Sequence, residues 1–490
     1  DLSRERGTSN GLDLQHINWG NYDLIVIDES HNFRNGGKIT TDEEDENPRE
    51  NRYLRLMNQV IRTGVKTKVL MLSATPVNNG FKDLKNQLQL AYEGETDKID
   101  ELLNTKNSID DIFRQAQTAY NKWAKLEPKN RTTAKLLSML NFDFFEVLDS
   151  VTIARSRKHI ERYYDTTDIG KFPTRLKPIS RRPCLTDLSE AINYNEIYTQ
   201  LQTLNLAIYT PSDFILASRM DKYDDDEKVG SGSGLSMKGR EKGIRQLMAI
   251  NMLKRLESSV NSFRLTIQRI ENLIESTINK IEKYTNDRYN QMSFDVDDYD
   301  LDRVAEDEEF YSSATIGGGK KTKIELADMD HKSWRTYLEQ DTETLNLLLV
   351  MLKDITPRHD SKLQQLIEDL DYKFTHPING KNKKVLIFTA FSDTAEYLYS
   401  ELSDYIYNEY GLNVAMVTGS VNSVCTIKKL KADFNNILTL FSPVSKERDI
   451  LFPGTQNEID VLIATDCISE GQNLQDCDYL INYDIHWNPV

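Results

Sequence analysis

Two short stretches constrain this chain most, because each is apolar on both faces and each runs straight into polar residues. Asp23-Leu24-Ile25-Val26-Ile27 leads into Asp28-Glu29-Ser30-His31, and Lys68-Val69-Leu70-Met71-Leu72 leads into Ser73-Ala74-Thr75-Pro76. Strands with no polar face belong inside a parallel sheet that helices cover on both sides. Between the two, Tyr53–Ile61 carries apolar residues at helical spacing. Strand, helix, strand is a βαβ unit, so the expected fold class is α/β. In such a sheet, ligands bind beyond the carboxyl ends of the strands, where both polar tetrapeptides fall.

A second α/β region spans 361–490. Lys384–Thr389, Val414–Val417, Val461–Ala464 and Tyr479–Tyr483 read as strands, and Thr394–Tyr410 as an amphipathic helix. Residues 96–150 and 190–355 read differently, as helix formers with long polar side chains. From Leu253 the apolar positions run Leu256, Val260, Phe263, Ile267, Ile270 and Ile274, an alternation of 3 and 4 that predicts a long arm helix packed on a neighbour in the same chain. Asp42–Glu46, Asp224–Gly234 and Asp295–Glu309 are acidic or Gly/Ser-rich and read as exposed linkers. The expected domains are therefore 1–95, 96–189 (helical protrusion and connector), 190–360 (helical insertion) and 361–490.

Composition narrows the function classes. With 490 residues, 39% apolar and 28% charged, the chain holds apolar surface for several cores, which excludes a wholly disordered chain. Its net charge of −16 argues against a generally sticky nucleic-acid coat but leaves room for a local basic groove. The four cysteines, Cys184, Cys425, Cys467 and Cys477, form no CxxC and are expected to be reduced, partly buried thiols. No apolar run reaches the length of a membrane span and no signal peptide opens the chain, so the expected partners include no membrane and the expected location is the cytoplasm.

The chemistry of the two tetrapeptides can be read from residue type. Asp28 suits Mg²⁺, a hard cation that takes one or two carboxylates plus phosphate oxygens, and its neighbour Glu29 suits a base that orients and deprotonates an attacking water. Ser73 and Thr75 are small hydroxyl residues able to hydrogen-bond those carboxylates and relay their state. Taken as a pair at two strand ends, Asp28-Glu29-Ser30-His31 and Ser73-Ala74-Thr75 resemble the Walker B and third motifs of superfamily-two helicases and translocases. Val385–Phe391 is similar to the fourth motif, Val417-Thr418-Gly419-Ser420 to the segment after the next strand, and Ala464–Gln475 to the fifth motif. Tyr483-Asp484-Ile485-His486-Trp487-Asn488-Pro489 resembles the D-x-x-W-N-P box of the Swi/Snf branch. Arg155-Ser156-Arg157-Lys158, Phe172-Pro173-Thr174-Arg175 and Leu185-Thr186-Asp187-Leu188 are similar to that branch's passage between the lobes.

The resemblance implies two RecA-like parallel-sheet lobes separated by large helical insertions, using ATP and Mg²⁺ to move on nucleic acid, with duplex DNA favoured by the D-x-x-W-N-P box. It implies catalysis by Asp28, Glu29 and His31, coupling through Ser73, Ala74 and Thr75, and nucleotide contacts at Glu470, Gly471 and Gln472. It implies nucleic-acid contacts at Thr389, Thr418, Gly419 and Thr465, and at Arg155, Arg157 and Lys158 of a basic run continued by Arg162, Lys171, Arg175, Lys177, Arg181 and Arg182. That run reads equally as a solvated connector, and Trp487 as a lobe anchor or a base-stacking residue. The helical insertions would grip DNA or a protein partner. Ser469-Glu470-Gly471-Gln472-Asn473 looks more like bacterial members of the branch than like its eukaryotic remodellers. The chain departs from the family in having no phosphate-cradling loop ahead of Asp28 and no Arg-rich sixth motif after Pro489, and Gly317–Thr322 lacks the strand such a loop needs. The expectation is a piece of a longer ATPase, inactive alone. An RNA-directed helicase and a non-catalytic scaffold are the alternatives.

Overall fold

A computed structural model of the chain describes residues 7–9, 12–36, 52–63, 65–77, 80–95, 99–101, 103, 105–165, 167, 172–189, 191–223, 237–286, 293–295, 323–419, 421–428, 430–468 and 472–485. Apart from Asp295, the three expected linkers lie outside the described residues, as does Gly317–Thr322. The chain divides into two compact units, Asp1–Pro178 and Ile179–Pro489. The division falls inside the expected connector, and the expected helical insertion shares a unit with the second α/β region. No helix among the described residues is long and apolar enough to cross a membrane.

In the first unit, β1 (Leu24–Ile27) pairs in parallel with β2 (Lys68–Met71), Leu24 opposite Lys68 and Ile27 opposite Met71. The connecting helix begins as α1 (Arg52–Arg55) and continues as a π-helix over Leu56–Ile61. The wider i→i+5 turn brings Leu56, Met57, Val60 and Ile61 onto one face, and all four are buried. They pack with Ile25, Ile27, Val69 and Met71. Alternation sends Leu24, Val26, Leu70 and Leu72 the other way, and these are about half exposed. The expectation of helices on both sheet faces is met on one face only among the described residues. The helices α2 (Phe81–Ala91), α3 (Ile109–Ala124) and α4 (Phe142–Val151) form a second core, in which Phe81 and Phe113 meet Phe144 edge-on. A short helix, α5 (Arg157–Tyr163), capped by Ser156, follows.

The second unit opens with helices. α6 (Tyr194–Thr203) carries a capping box of Asn193 and Glu196. α7 (Met237–Ser258), α8 (Val260–Asn286) and α9 (His331–Leu352) pack along the apolar seam anticipated from Leu253 onward. The seam runs over two helices, not one. Ser259 interrupts it, and its Oγ accepts from the Ser262 amide 3.0 Å away, which caps α8. α10 (Ser361–Thr375) leads into a five-stranded sheet of β3 (Val385–Phe388), β4 (Val414–Val417), β5 (Val424–Cys425), β6 (Val461–Ala464) and β7 (Leu480–Asn482), with α11 (Ser392–Tyr410) and α12 (Phe434–Phe441) between strands. The strand order is β7-β3-β6-β4-β5, parallel except for the β4–β5 pair.

This sheet is covered on both faces. Val385, Ile387, Met416 and Ile463 pack with α10 and α11, while the alternate residues Leu386, Ala415, Val417 and Leu462 pack with α12. Burying each such aliphatic side chain contributes roughly 1.5–3 kcal/mol for the larger ones. The helical part is fastened to the sheet part by a buried triad: Asp393, in the first turn of α11, accepts from Arg255 Nη1 at 2.6 Å and from both Nη atoms of Arg269 at 2.6 and 2.7 Å.

Candidate active site and nucleic-acid interface

Both tetrapeptides sit at the carboxyl ends of their strands, in one neighbourhood of the first unit. The chain turns sharply after β1 because Glu29 adopts a left-handed conformation (φ 48°, ψ 51°), which is uncommon for a side chain with a Cβ. The turn is held from two sides. The Ser30 amide donates to Leu72 O, and the Ser30 hydroxyl donates to Gln87 Oε1, both at 2.9 Å. The same Gln87 donates through Nε2 to Pro76 O at 2.7 Å. One α2 side chain thus ties the loop after β1 to the loop after β2. Gln87 was not among the expected site residues. Its signal was a polar residue on the apolar α2 face, between Leu84 and Leu88.

His31 is buried, with Nδ1 3.3 Å from Glu29 Oε2 and 3.2 Å from Ser73 Oγ. Ser73 Oγ in turn accepts from the Thr75 amide at 3.1 Å. His31 Nδ1 therefore stands between the two motifs, within ion-pair range of Glu29 and hydrogen-bonding distance of Ser73, with Ala74 exposed beside it. Asp28 is exposed, and one carboxylate oxygen accepts from the Glu29 amide at 2.9 Å. These two adjacent carboxylates fit a Mg²⁺ ion that arrives with phosphate and water ligands. A cluster of three or more His, Cys, Asp or Glu that would cage a resident metal does not occur among the described residues.

In the second unit the register aligns four expected motifs in a row. Ala464 pairs with both Phe388 and Val417, and Asn482 pairs with Phe388, so Thr389, Thr418, Thr465 and Tyr483 each leave the sheet at the same edge. The three threonines are nearly buried, at 2%, 8% and 7% exposure. Thr389 donates to Asp484 Oδ2 at 2.7 Å, the Thr418 hydroxyl accepts from the Val421 amide, and Thr465 Oγ1 lies 3.6 Å from Cys467 Sγ. Among the described residues, the Cβ position of Gly419 meets Cys467 at 3.9 Å. Gln472 accepts from Lys446 Nζ at 3.0 Å, a partner with no signal in the motif. Glu470, Gly471 and Trp487 lie outside the described residues.

The basic connector is built of arginines laid on rings. Arg155 stands 5.7 Å from the centre of Tyr164 and donates to its hydroxyl at 2.7 Å; Arg157 lies over Phe172 and Arg162 over Tyr163. Stacking of this kind pre-orders a guanidinium without neutralising it. Arg155, Arg157, Lys158 and Arg162 are exposed, and none of them makes an ion pair among the described residues. Arg181, by contrast, is committed to Asp369. Lys171 lies outside the described residues. All four cysteines are free thiols, but Cys184 and Cys467 are exposed, a correction to the expectation of partial burial; each precedes a core residue, Leu185 and Ile468, whose side chain turns inward while the thiol faces out.

Comparison with known proteins bears on the second unit. Residues 361–490 match the helicase conserved C-terminal domain. An uncharacterized ATP-dependent helicase, YqhH, of Bacillus subtilis (strain 168) is 30% identical over 150 residues, which are 31% of this chain and 20% of that protein. The chain thus spans about a fifth of the length of that relative. The helicase domain of Hef from Pyrococcus furiosus aligns with 95% of this chain and 66% of its own at 14% identity, with a TM-score of 0.27 that carries no argument. The domain match falls on the part of the second unit that carries the five-stranded, mostly parallel sheet.

Proposed function

We propose that the chain belongs to an ATP-dependent translocase of Swi/Snf type that moves on duplex DNA in the bacterial cytoplasm. Asp28 holds the Mg²⁺ of the bound nucleotide, and Glu29 takes a proton from the attacking water. His31 and Ser73 pass the state of that carboxylate to Thr75. Glu470, Gly471 and Gln472 of the fifth motif are the further nucleotide contacts of this reading. The rims after β3, β4 and β6, with Thr389, Thr418, Gly419 and Thr465, and the unneutralised Arg155, Arg157 and Lys158 follow the phosphate backbone. The helical part grips DNA or a protein partner.

The observation that carries this reading is the placement of His31 between Glu29, whose backbone is left-handed at the end of one strand, and Ser73 at the end of the other. The test is ATP turnover by the full protein with no nucleic acid, with duplex DNA and with structured RNA. Duplex DNA should stimulate most, and Glu29→Gln should lower the stimulated rate by about 10²–10⁴-fold while nucleotide still binds. Greater stimulation by RNA would assign the chain to the RNA-directed alternative. Turnover indifferent to Glu29 would leave a scaffold.

A further inference from the structure

The segment Thr389–Thr394, which is the loop after β3 and the first turn of α11, rests on the junction between α7 and α8. Ser258 and Ser259 reach Thr394 Oγ1 at 2.7 and 3.0 Å. Arg255 covers the Phe391 ring at 4.5 Å and joins Arg269 on Asp393. At the start of the loop, Asp484 Oδ2 accepts from the Thr389 hydroxyl and the Ala390 amide. The other oxygen of Asp484 faces Lys362 Nζ at 3.5 Å. Lys362 also donates to Glu257 O at 2.6 Å and Ser258 O at 3.0 Å, meets Glu257 Oε1 at 3.3 Å, and lies 4.3 Å from the centre of the Tyr483 ring. Glu257 Oε2 accepts from the Ile485 amide.

We propose that Lys362 is a positioning residue through which the helical part of this unit sets the Thr389–Phe391 loop, by holding Asp484 against Thr389 and Ala390. Lys362 is the ammonium between two carboxylates, Glu257 on the last turn of α7 and Asp484 beyond β7. Without it Glu257 and the nearly buried Asp484 face each other with no cation between them and repel. Asp484 then moves away from Glu257, and the movement weakens its two bonds to Thr389 and Ala390. Movement of the α7–α8 junction acts the same way, since that junction supplies two carbonyl oxygens and a carboxylate to Lys362. The loop follows the edge that carries Thr418 and Thr465, so a partner bound to the helical part changes the grip on nucleic acid. That consequence rests on the proposed function; the positioning of the loop does not.

Hydrogen exchange of the whole chain tests it, with Lys362→Met, Lys362→Arg and the pair Ser258→Ala/Ser259→Ala. In Lys362→Met the amides of 389–391 should exchange about tenfold faster, while those of β4 and β6 stay as in the native chain. Lys362→Arg should restore protection, which a loss of packing alone would not permit. Exchange at Ala390 unchanged in Lys362→Met overturns the proposal. If that variant fails to fold, the serine pair decides: faster exchange at 392–394 supports the seat on α7–α8, and unchanged exchange overturns it. Affinity for a fluorescent DNA duplex should fall about tenfold with the faster exchange. Faster exchange with unchanged affinity supports the positioning and counts against nucleic-acid binding at this edge.

Discussion

Replacing Asp393 by Asn should unseat the helical part from the sheet of the second unit. The Asp393 side chain is 10% exposed and answers two guanidiniums, of which that of Arg255 is fully buried and that of Arg269 one-third exposed. Asn keeps the shape but removes the charge that answers the buried guanidinium of Arg255 at this position. Removing one partner of such a buried pair costs roughly 3–5 kcal/mol. The lost charge in the first turn of α11 adds about 0.3–1 kcal/mol, and solvent screening at Arg269 subtracts a similar amount. For a unit of this size the expected fall in Tm is about 5–8 °C, measured by calorimetry at pH 7. The effect has a defined pH dependence. Burial alone would raise the Asp393 carboxyl, but its hydrogen bond with Arg269 and the charges of Arg255 and Arg269 outweigh that and hold it below the ordinary value of 3.8. A carboxyl with a lowered folded-state pKa contributes stability above the unfolded value and loses it as pH falls through the folded one. The native chain's advantage over Asp393→Asn should therefore be full at neutral pH and shrink below about pH 4. The triple replacement Arg255→Met/Asp393→Leu/Arg269→Leu, which removes every charge, should cost less than Asp393→Asn alone. A Tm within about 2 °C of the native chain for Asp393→Asn would refute the reasoning, because it would mean that the triad is screened.

Two further outcomes follow from the same physics. Trp334 is fully buried and donates through Nε1 to Ala207 O at 3.0 Å, so Trp334→Ala should lower stability by about 3–5 kcal/mol, seen as a lower denaturant midpoint at unchanged slope. Burial pushes the Cys477 thiol up to about 11, whereas Cys184 and Cys467 are exposed; iodoacetamide at pH 8 should modify those two at least about tenfold faster than Cys477, and equal rates would contradict the burial.

Much of the strand content was legible because its signal is local. Val385–Phe388, Val414–Val417 and Val461–Ala464 are apolar on both faces, and each is a parallel or mixed strand with packing on both sides. The heptad spacing across Leu253–Ile274 was equally legible as a seam, yet spacing alone could not show that the seam changes helices. Ser258 and Ser259 read as two ordinary polar positions, and their break appears only once Thr394 and the Ser262 amide compete for their hydroxyls. The same limit applies at β1 and β2: composition gives two apolar faces, while which face a helix covers depends on where Leu56–Ile61 lands.

By itself, the sequence determined which residues reach the carboxyl edges of the sheets, because a strand's period of two and its terminal polar residues are properties of a few neighbours. It thereby placed Asp28, Glu29 and Ser73 at strand ends in one unit, and Thr389, Thr418 and Thr465 in the other. Only the tertiary structure decided what those side chains face. It gave His31 to both Glu29 and Ser73, recruited Gln87, and spent the Thr389 hydroxyl on an Asp484 that Lys362 balances against Glu257. The physical reason is range: a helix or strand is written by residues one turn apart, whereas a charge is satisfied by whatever group packing brings within about 4 Å, however distant it is along the chain.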